Sequence, residues 1–113
     1  MKSTIPDAGD VLWLELDPTQ GHEQSGRRPF LVLTPGDYNG KTSLVVGCPI
    51  TSRSKGYPFE VPVTGVAGVA GFILSDHVKS LDWRVRRGEI AGKVDRATTD
   101  AVRSLVKRLL RIA

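Results

Sequence analysis

The apolar residues of this 113-residue chain change their spacing once along the sequence, and this change limits the possible folds most strongly. Over residues 11–94 they form short runs separated by polar turn residues, a pattern typical of antiparallel strands. Over residues 102–112 they recur at i, i+3, i+4 and i+7, which indicates an amphipathic helix. No strand–helix–strand alternation appears. The sequence therefore predicts a mainly β domain, a small and partly open antiparallel barrel with a C-terminal amphipathic helix.

Turn-forming and capping residues divide the chain into elements. Asn39-Gly40 is a strong hairpin signal and predicts a tight turn between the second and third strands. Pro62 has no N–H to donate, so its strand is expected at a sheet edge or a bulge. Asp95 or Thr98 is expected to cap the helix. Strands are expected at residues 11–16, 29–34, 43–50, 59–64, 69–74, 78–83 and 86–94.

A long polar connector follows the first predicted strand, at residues 17–29. An ordinary hairpin connection needs only about two to five residues. This one holds a carboxylate, an imidazole, two amides and two guanidinium groups, and such loops more often bind or react than merely connect. Pro29 also favours an extended backbone at Arg28. We therefore expect Arg28 to be held in a defined position.

Composition narrows the class of partner and the chemistry. The net charge of +4 and the pI near 9.6 favour a polyanionic partner, nucleic acid first, although a merely cationic surface fits equally well. Cys48 is the only cysteine, so no intramolecular disulfide forms, and its apolar neighbours predict a buried thiol. Two histidines and one cysteine make a zinc site improbable. No membrane span or signal peptide is apparent, so a cytoplasmic location is expected.

Three side chains in the polar loops suit phosphodiester chemistry. Cleavage of RNA needs a base for the nucleophile, stabilisation of the phosphorane oxygens and a proton donor for the leaving oxygen. Glu23 can be the base, Arg28 can bind a phosphate bidentately, and the Thr51 hydroxyl can donate to a nonbridging oxygen. RNA supplies its own nucleophile, the 2′-hydroxyl. Alternatively, Glu23 and Arg28 form a surface ion pair and Thr51 is simply a threonine at the end of a strand. The spacing of these residues does not exclude this interpretation.

Five runs of residues resemble those of the MazF/PemK toxins, which are bacterial sequence-specific endoribonucleases of toxin–antitoxin systems. They occur in the family's order along nearly the whole chain. The most specific part is the Glu-Gln-x-Gly-x-Arg-Pro loop combined with the Ser-Lys-Gly-Tyr-Pro-Phe-Glu block. The runs are GDVLW at 9–13, DPTQGHEQSGRRP at 17–29, PITS at 49–52, SKGYPFE at 54–60 and DHVKS at 76–80.

The resemblance implies the CcdB/PemK-like toxin fold, an SH3-like barrel, in one endoribonuclease domain over residues 1–113 that forms a homodimer. It implies cleavage of single-stranded RNA without a metal or cofactor, leaving 2′,3′-cyclic phosphate and 5′-hydroxyl ends. Arg28 and Thr51 match the family's catalytic arginine and threonine, and Glu23 matches its loop glutamate. Further positions are expected to contact RNA: Gln24, Ser52, Lys55, Asp76, His77 and Lys79.

The resemblance also implies a partner, an acidic MazE-like antitoxin that would fold onto the basic groove and block the RNA site. Two other functions stay open: a non-catalytic nucleic-acid-binding module, and a gyrase-poisoning toxin of the same fold. The loop residues favour the ribonuclease. The cleaved RNA sequence cannot be predicted.

Four further side chains have two possible roles each. His22 either shares the base role with Glu23 or lies in the loop near the phosphates. Trp13 and Trp83 are expected to pack in the core or a dimer interface rather than stack on bases. For Tyr57, packing and stacking remain equally open.

Overall fold

The computed structural model describes residues 5–16 and 27–113 of the chain. Within these residues seven strands form one sheet, accompanied by two α-helices and a short 3-10 helix at Ser75–His77. The helices are α1 Gly36–Thr42 and α2 Arg96–Leu110. The strands are β1 Asp10–Glu15, β2 Arg27–Val32, β3 Leu44–Thr51, β4 Glu60–Val63, β5 Gly71–Leu74, β6 Lys79–Asp82 and β7 Glu89–Lys93. The mainly β class with a C-terminal helix is confirmed.

All strand pairs are antiparallel, in the order β4-β5-β3-β2-β1-β7. The long strand β3 organises this sheet, because it pairs with β2 along one edge and with β6 and then β5 along the other. The order leaves β4 and β7 at the two ends, so the barrel is open. Pro62 lies in β4, as its missing N–H predicted.

The central strands are buried on both faces. Because successive side chains alternate between faces, Val11 and Leu31 pack into one cluster, while Leu12 and Phe30 pack into another. The first cluster lies against α2, whose Val102 belongs to it and is fully buried. Burying each such side chain is worth roughly 1.5–3 kcal/mol. Both clusters include residues of β1, β2 and β3, so these three strands form the core of the domain.

The C-terminal helix begins as predicted and ends sooner. Asp95 is its N-cap and accepts a hydrogen bond from the backbone N–H of Thr98 at 2.9 Å. Arg111 adopts a left-handed backbone conformation after Leu110, so Ile112 lies beyond the helix rather than on its last turn. Leu109 and Ile112 are exposed, so the end of the predicted apolar stripe is uncovered in this chain.

The predicted tight turn at Asn39-Gly40 is wrong, since both residues lie inside α1. Asn39 is fully buried, and its side-chain N–H groups donate to the carbonyls of Pro6 and Thr34 at 2.8 Å each. The indole N–H of Trp83 donates to the Asn39 carbonyl at 3.0 Å. These tertiary hydrogen bonds outweigh the local turn preference of Asn-Gly. The two flanking strands nevertheless pair antiparallel, as β2 and β3.

Two predictions about buried side chains hold. Cys48 is fully buried in β3, and desolvation raises the pKa of its thiol to about 12. Trp83 packs in the second cluster and Trp13 against the first. No helix within residues 5–16 and 27–113 is long and apolar enough to cross a membrane.

Candidate active site

The register of β2 and β3 relates Arg28 to Thr51. The paired residues end at Phe30 opposite Pro49. Arg28 and Thr51 each lie two residues beyond that last pair, on the strand face that Phe30 and Pro49 occupy, because side chains alternate along a strand. Arg28 is exposed, and within the described ranges its guanidinium has neither a hydrogen-bond nor an ion-pair partner. A charged fork with free donors beside a hydroxyl is suited to bind a phosphate.

The strand end that carries Thr51 is held firmly. Thr51 pairs with Phe72 of β5, and its Oγ1 accepts a hydrogen bond from the backbone N–H of Arg53 at 3.2 Å. A Cβ at Gly71 would lie 2.2 Å from the Thr51 carbonyl oxygen, so only glycine permits this approach of β5. The hydroxyl proton of Thr51 is not used in these contacts and remains available to donate.

Glu60 organises the loop that follows Thr51. Its Oε2 accepts from the backbone N–H of Lys55 at 2.7 Å, and its Oε1 accepts from Ser54 Oγ at 2.7 Å and from the Gly56 N–H at 3.3 Å. The Lys55 N–H bond, followed by the other donors, lowers the pKa of Glu60. Glu60 therefore acts as an anion that folds the loop, which makes it a structural member of the site.

Asp76, His77 and Tyr57 form a second polar group. The Tyr57 hydroxyl donates to Asp76 Oδ1 at 2.8 Å, and His77 Nε2 lies 3.8 Å from the same oxygen. The side chain of Asp76 is 27% exposed and that of His77 is 49% exposed. The bond to Asp76 raises the pKa of Tyr57. Tyr57 is therefore engaged by Asp76, a role that neither of its two predicted alternatives included.

The predicted cationic contacts flank the same part of the sheet. Lys79 lies opposite Gly47 in the β3–β6 pair, and Gly47 is four residues before Thr51, so the two positions share a face of β3. Lys79, Lys55 and Ser52 are all exposed.

Three of the residues singled out from the sequence, His22, Glu23 and Gln24, lie outside the described residues. The structure therefore brings Tyr57 to Asp76 and places Arg28 and Thr51 at the neighbouring ends of β2 and β3, but it gives no position for the predicted base. Among residues 5–16 and 27–113, no cluster of three or more His, Cys, Asp or Glu side chains is arranged to hold a metal ion.

Two features of the site escaped sequence reasoning. Glu60 was visible only as part of a motif, and its hydrogen bonds to main-chain N–H groups have no signature in sequence spacing. The pair Arg27-Arg28 gave no sign that one guanidinium would be engaged and that the other would have no partner within the described part of the chain. Strand alternation could have shown that they point to opposite faces.

The described residues define a small β domain, an open antiparallel barrel whose neighbouring strand ends carry an exposed arginine and a threonine. Comparison with known families is more specific. The description "PemK-like, MazF-like toxin of type II toxin-antitoxin system" matches residues 7–110. The chain belongs to this toxin family.

Individual relatives agree with this assignment. The endoribonuclease toxin MazF of Escherichia coli K12 is 48% identical over 90 residues, which cover 80% of each chain. Crystalline MazF of Deinococcus radiodurans superposes with a TM-score of 0.87 at 49% identity, covering 97% of this chain and 100% of that one. A MazE-MazF crystal structure from the same organism gives 0.86 at 44% identity, with 98% and 100% covered. The predicted CcdB/PemK-like toxin fold and the family resemblance are confirmed.

Proposed function

We infer that this chain is an endoribonuclease toxin of a type II toxin–antitoxin system, and we propose how it cleaves RNA. Family membership and the relatives named endoribonucleases support the activity. The observation that carries the mechanism is the exposed guanidinium of Arg28, which has no partner among residues 5–16 and 27–113 and lies, like Thr51, two residues beyond the last β2–β3 pair. The substrate is single-stranded RNA, cleaved at specific sequences. Residues 1–113 act as one domain.

In the proposed reaction the 2′-hydroxyl oxygen attacks the adjacent phosphorus while the bond from phosphorus to the 5′ oxygen breaks. The 2′-hydroxyl proton passes to a base, for which Glu23 is the candidate. The departing 5′ oxygen takes up a proton from solvent water, to which the protonated base returns its own, and the products are a 2′,3′-cyclic phosphate and a 5′-hydroxyl. The RNA, the side chains of the chain and solvent water supply each function, so the proposed reaction uses no metal or cofactor.

Arg28 and Thr51 act on the charge that develops on the nonbridging oxygens. An arginine stays charged at neutral pH, so Arg28 is first an electrostatic stabiliser that binds two oxygens through parallel hydrogen bonds. The Thr51 hydroxyl donates to one of the same two nonbridging oxygens. Donors held in place before the reaction cost no reorganisation when the charge appears, which makes such stabilisation effective.

RNA on either side of the scissile bond is proposed to contact the exposed groups nearby. Lys79 and Lys55 supply cations for phosphates, which position the strand without reading its sequence. Ser52, Asp76 and His77 are the proposed contacts for base edges or sugars, and Gln24 is the candidate contact from the segment before Arg27. The carboxylate of Asp76 accepts hydrogen bonds from base amino groups.

The partners proposed for this chain are a second copy and an acidic antitoxin. Solved complexes of MazE with MazF are similar in structure to this chain at 44% identity. An acidic segment would complement the net charge of +4 and cover the RNA-binding groups. Such a toxin acts on RNA in the cytoplasm, which is where we propose that the chain resides.

The test is incubation of the purified protein with a long single-stranded RNA in EDTA. We expect defined fragments whose upstream ends carry a cyclic phosphate and whose downstream ends carry a 5′-hydroxyl. An RNA with a 2′-deoxy nucleotide at a mapped cleavage position should stay intact there, since the nucleophile is missing. RNA that is bound but not cut would favour a binding module, and cleavage at the 2′-deoxy position would contradict the proposed mechanism.

A further inference from the structure

We propose that Arg27 is a positioning residue for Arg28, assisted by Arg86 from the turn that follows β6. The inference rests on the proposed function, in which Arg28 contacts the scissile phosphate. The two adjacent arginines would then have different roles. The Arg27 guanidinium holds the end of β2 in position, and the Arg28 guanidinium contacts the substrate.

The guanidinium of Arg27 has three partners on three different segments. Its Nη1 donates to the Arg87 carbonyl at 2.7 Å, and its Nη2 donates to the Trp13 carbonyl at 3.1 Å and to Glu89 Oε1 at 2.7 Å. A planar guanidinium has donors in fixed directions, so these three contacts fix its plane as well as its position. The first residue of β2 is thereby tied to β1, to β7 and to the turn before β7.

The position of Arg27 determines how Arg28 is presented. Arg27 pairs with Glu15 at the last register position of the β1–β2 ladder, and Arg28 pairs with Leu14 beside it. Neighbouring strand residues point to opposite faces. Holding the Arg27 side chain on one face therefore fixes the backbone from which Arg28 projects on the other. Without the contacts of Arg27, the Arg28 side chain would project from a strand end that is not fixed in position.

Arg86 holds the end of β1, the strand with which Arg27 is paired. Its Nη1 donates to the carbonyls of Glu15 and Leu16 at 2.7 and 3.0 Å, and its own carbonyl accepts from the Glu15 N–H at 3.0 Å. The last residue of β1 and the first of β2 are thus both fastened to the segment after β6.

The segment after β6 is held by hydrogen bonds of its own. Asp82 Oδ1 accepts from the backbone N–H groups of Arg84 and Val85 at 3.0 Å each and from Ser43 Oγ at 2.8 Å. The bond from Val85, followed by those from the other donors, lowers the pKa of Asp82. Because these bonds fix the turn, its contacts with β1 and β2 can fix the positions of those two strand ends.

A purely stabilising role for Arg27 is the competing explanation. Its ion pair with Glu89 is exposed on one side, since the Glu89 side chain is 79% accessible, and exposed pairs contribute little to folding stability. The three contacts are therefore better understood as fixing geometry than as supplying stability. Kinetic coupling between Arg27 and Arg28 separates the two explanations.

The experiment is a double-mutant cycle read by single-turnover RNA cleavage at saturating protein. Arg27→Met and Arg86→Met are each made in the natural chain and in Arg28→Ala. In the natural chain we expect the cleavage rate to fall about 10- to 100-fold, the cost of misplacing a catalytic group by about 1 Å. With Arg28 already removed, we expect either change to cost less than about twofold, because the group that they position is gone.

Arg84→Met is the matched control. Arg84 is in the same turn and carries the same charge, but it stacks over Trp83 at 4.3 Å and reaches the Gly40 carbonyl, without touching β1 or β2. Its loss should leave the rate within about twofold of the natural chain. Thermal unfolding of every variant separates altered geometry from unfolding. If Arg27→Met does not fold, Glu89→Gln replaces it in the cycle with an expected loss of about threefold.

Equal losses in both backgrounds, or no loss in the natural chain, would overturn the positioning role while leaving the proposed function standing. A rate unchanged by Arg28→Ala alone would instead overturn the proposed mechanism, and the positioning role with it.

Discussion

The Tyr57 hydroxyl donates a 2.8 Å hydrogen bond to Oδ1 of Asp76, and this bond joins the loop after β3 to the 3-10 helix before β6. It fixes one oxygen of a carboxylate that is 27% exposed and leaves the other free to accept. Carboxylates accept from the exocyclic amino groups of bases, as from cytosine N4. Asp76 is therefore a candidate for sequence selection, with its orientation set by Tyr57.

Replacing Tyr57 by Phe should relax the sequence preference of cleavage. The variant keeps the ring, which lies 6.3 Å from the Phe59 ring, and loses only the hydroxyl. A hydrogen bond to a charged group contributes about 1.5 kcal/mol or more, so we expect about a tenfold drop in the rate ratio between the best and second-best sites. Cleavage-site mapping over one long transcript measures this ratio. Tyr38→Phe, on α1, is the control, and an unchanged ratio in Tyr57→Phe would remove Asp76 from sequence selection.

Glu60 makes the stability of the chain depend on acid pH. Its pKa is lowered from an ordinary value of 4.5 by the Lys55 N–H first, then by its other donors. A carboxyl group with a lowered pKa stabilises the folded state above its unfolded pKa, and this contribution is lost as pH falls through its folded pKa. We therefore expect thermal stability to fall below about pH 4.5 partly because of Glu60.

Glu60→Gln should unfold at a lower temperature than the natural chain at neutral pH and lose less stability on acidification. Thermal unfolding followed by circular dichroism from pH 7 to pH 3 tests both points. Asp100→Asn is the control, because Asp100 makes only a 3.9 Å exposed contact with Arg96. Parallel pH curves for the Glu60→Gln variant and the natural chain would show that the loop does not depend on the ionised carboxylate.

Asn39→Ala should destabilise the fold strongly. The substitution leaves the carbonyls of Pro6 and Thr34 without their Asn39 donor, and each unsatisfied buried polar group costs about 1–3 kcal/mol. We expect a loss of about 3 kcal/mol in the free energy of unfolding, measured by urea titration. Asn39→Asp keeps the shape but removes the donors, so it should be nearly as damaging. A loss below about 1 kcal/mol in both variants would mean that α1 is held by other contacts.

Lys79→Ala should weaken the salt dependence of RNA binding. Each phosphate contact with a single strand contributes about 0.7 to the slope of log affinity against log salt concentration. Binding of a 2′-deoxy analogue of the cleaved sequence, titrated at several salt concentrations, gives the slope without cleavage. Lys41→Ala on α1 removes the same charge away from the site and should leave the slope unchanged. Equal slopes for all three proteins would exclude Lys79 as a phosphate contact.

The sequence could predict the fold because its main determinants are local. The sequence correctly predicted three such features: the spacing of the apolar residues, the strand that contains Pro62, and the helix cap at Asp95. Each of them depends on residues that are close together in the sequence. The Asn39-Gly40 turn failed because its preference is overruled by tertiary partners. Trp83 is 44 residues away from Asn39, and no local pattern reveals such a partner.

The candidate site was predictable only where a motif carried it. Arg28 and Thr51 were identified by motif and chemistry, and both lie two residues beyond the last pair of β2 and β3. The roles of Arg27 and Glu60 depend on hydrogen bonds to main-chain atoms, and sequence spacing does not encode those bonds. The three contacts of Arg27 could therefore be found only in the folded chain.

Single-turnover cleavage of a long single-stranded RNA in EDTA by Arg28→Ala, with Arg28→Lys beside it, tests the central claim most directly. Loss of one positioned donor to the transition state typically costs about a hundred- to a thousandfold in rate. We predict such a loss for Arg28→Ala, with an unchanged unfolding temperature, and a smaller loss for Arg28→Lys, which keeps the charge but not the fork of donors. Cleavage by Arg28→Ala at the natural rate would contradict the account.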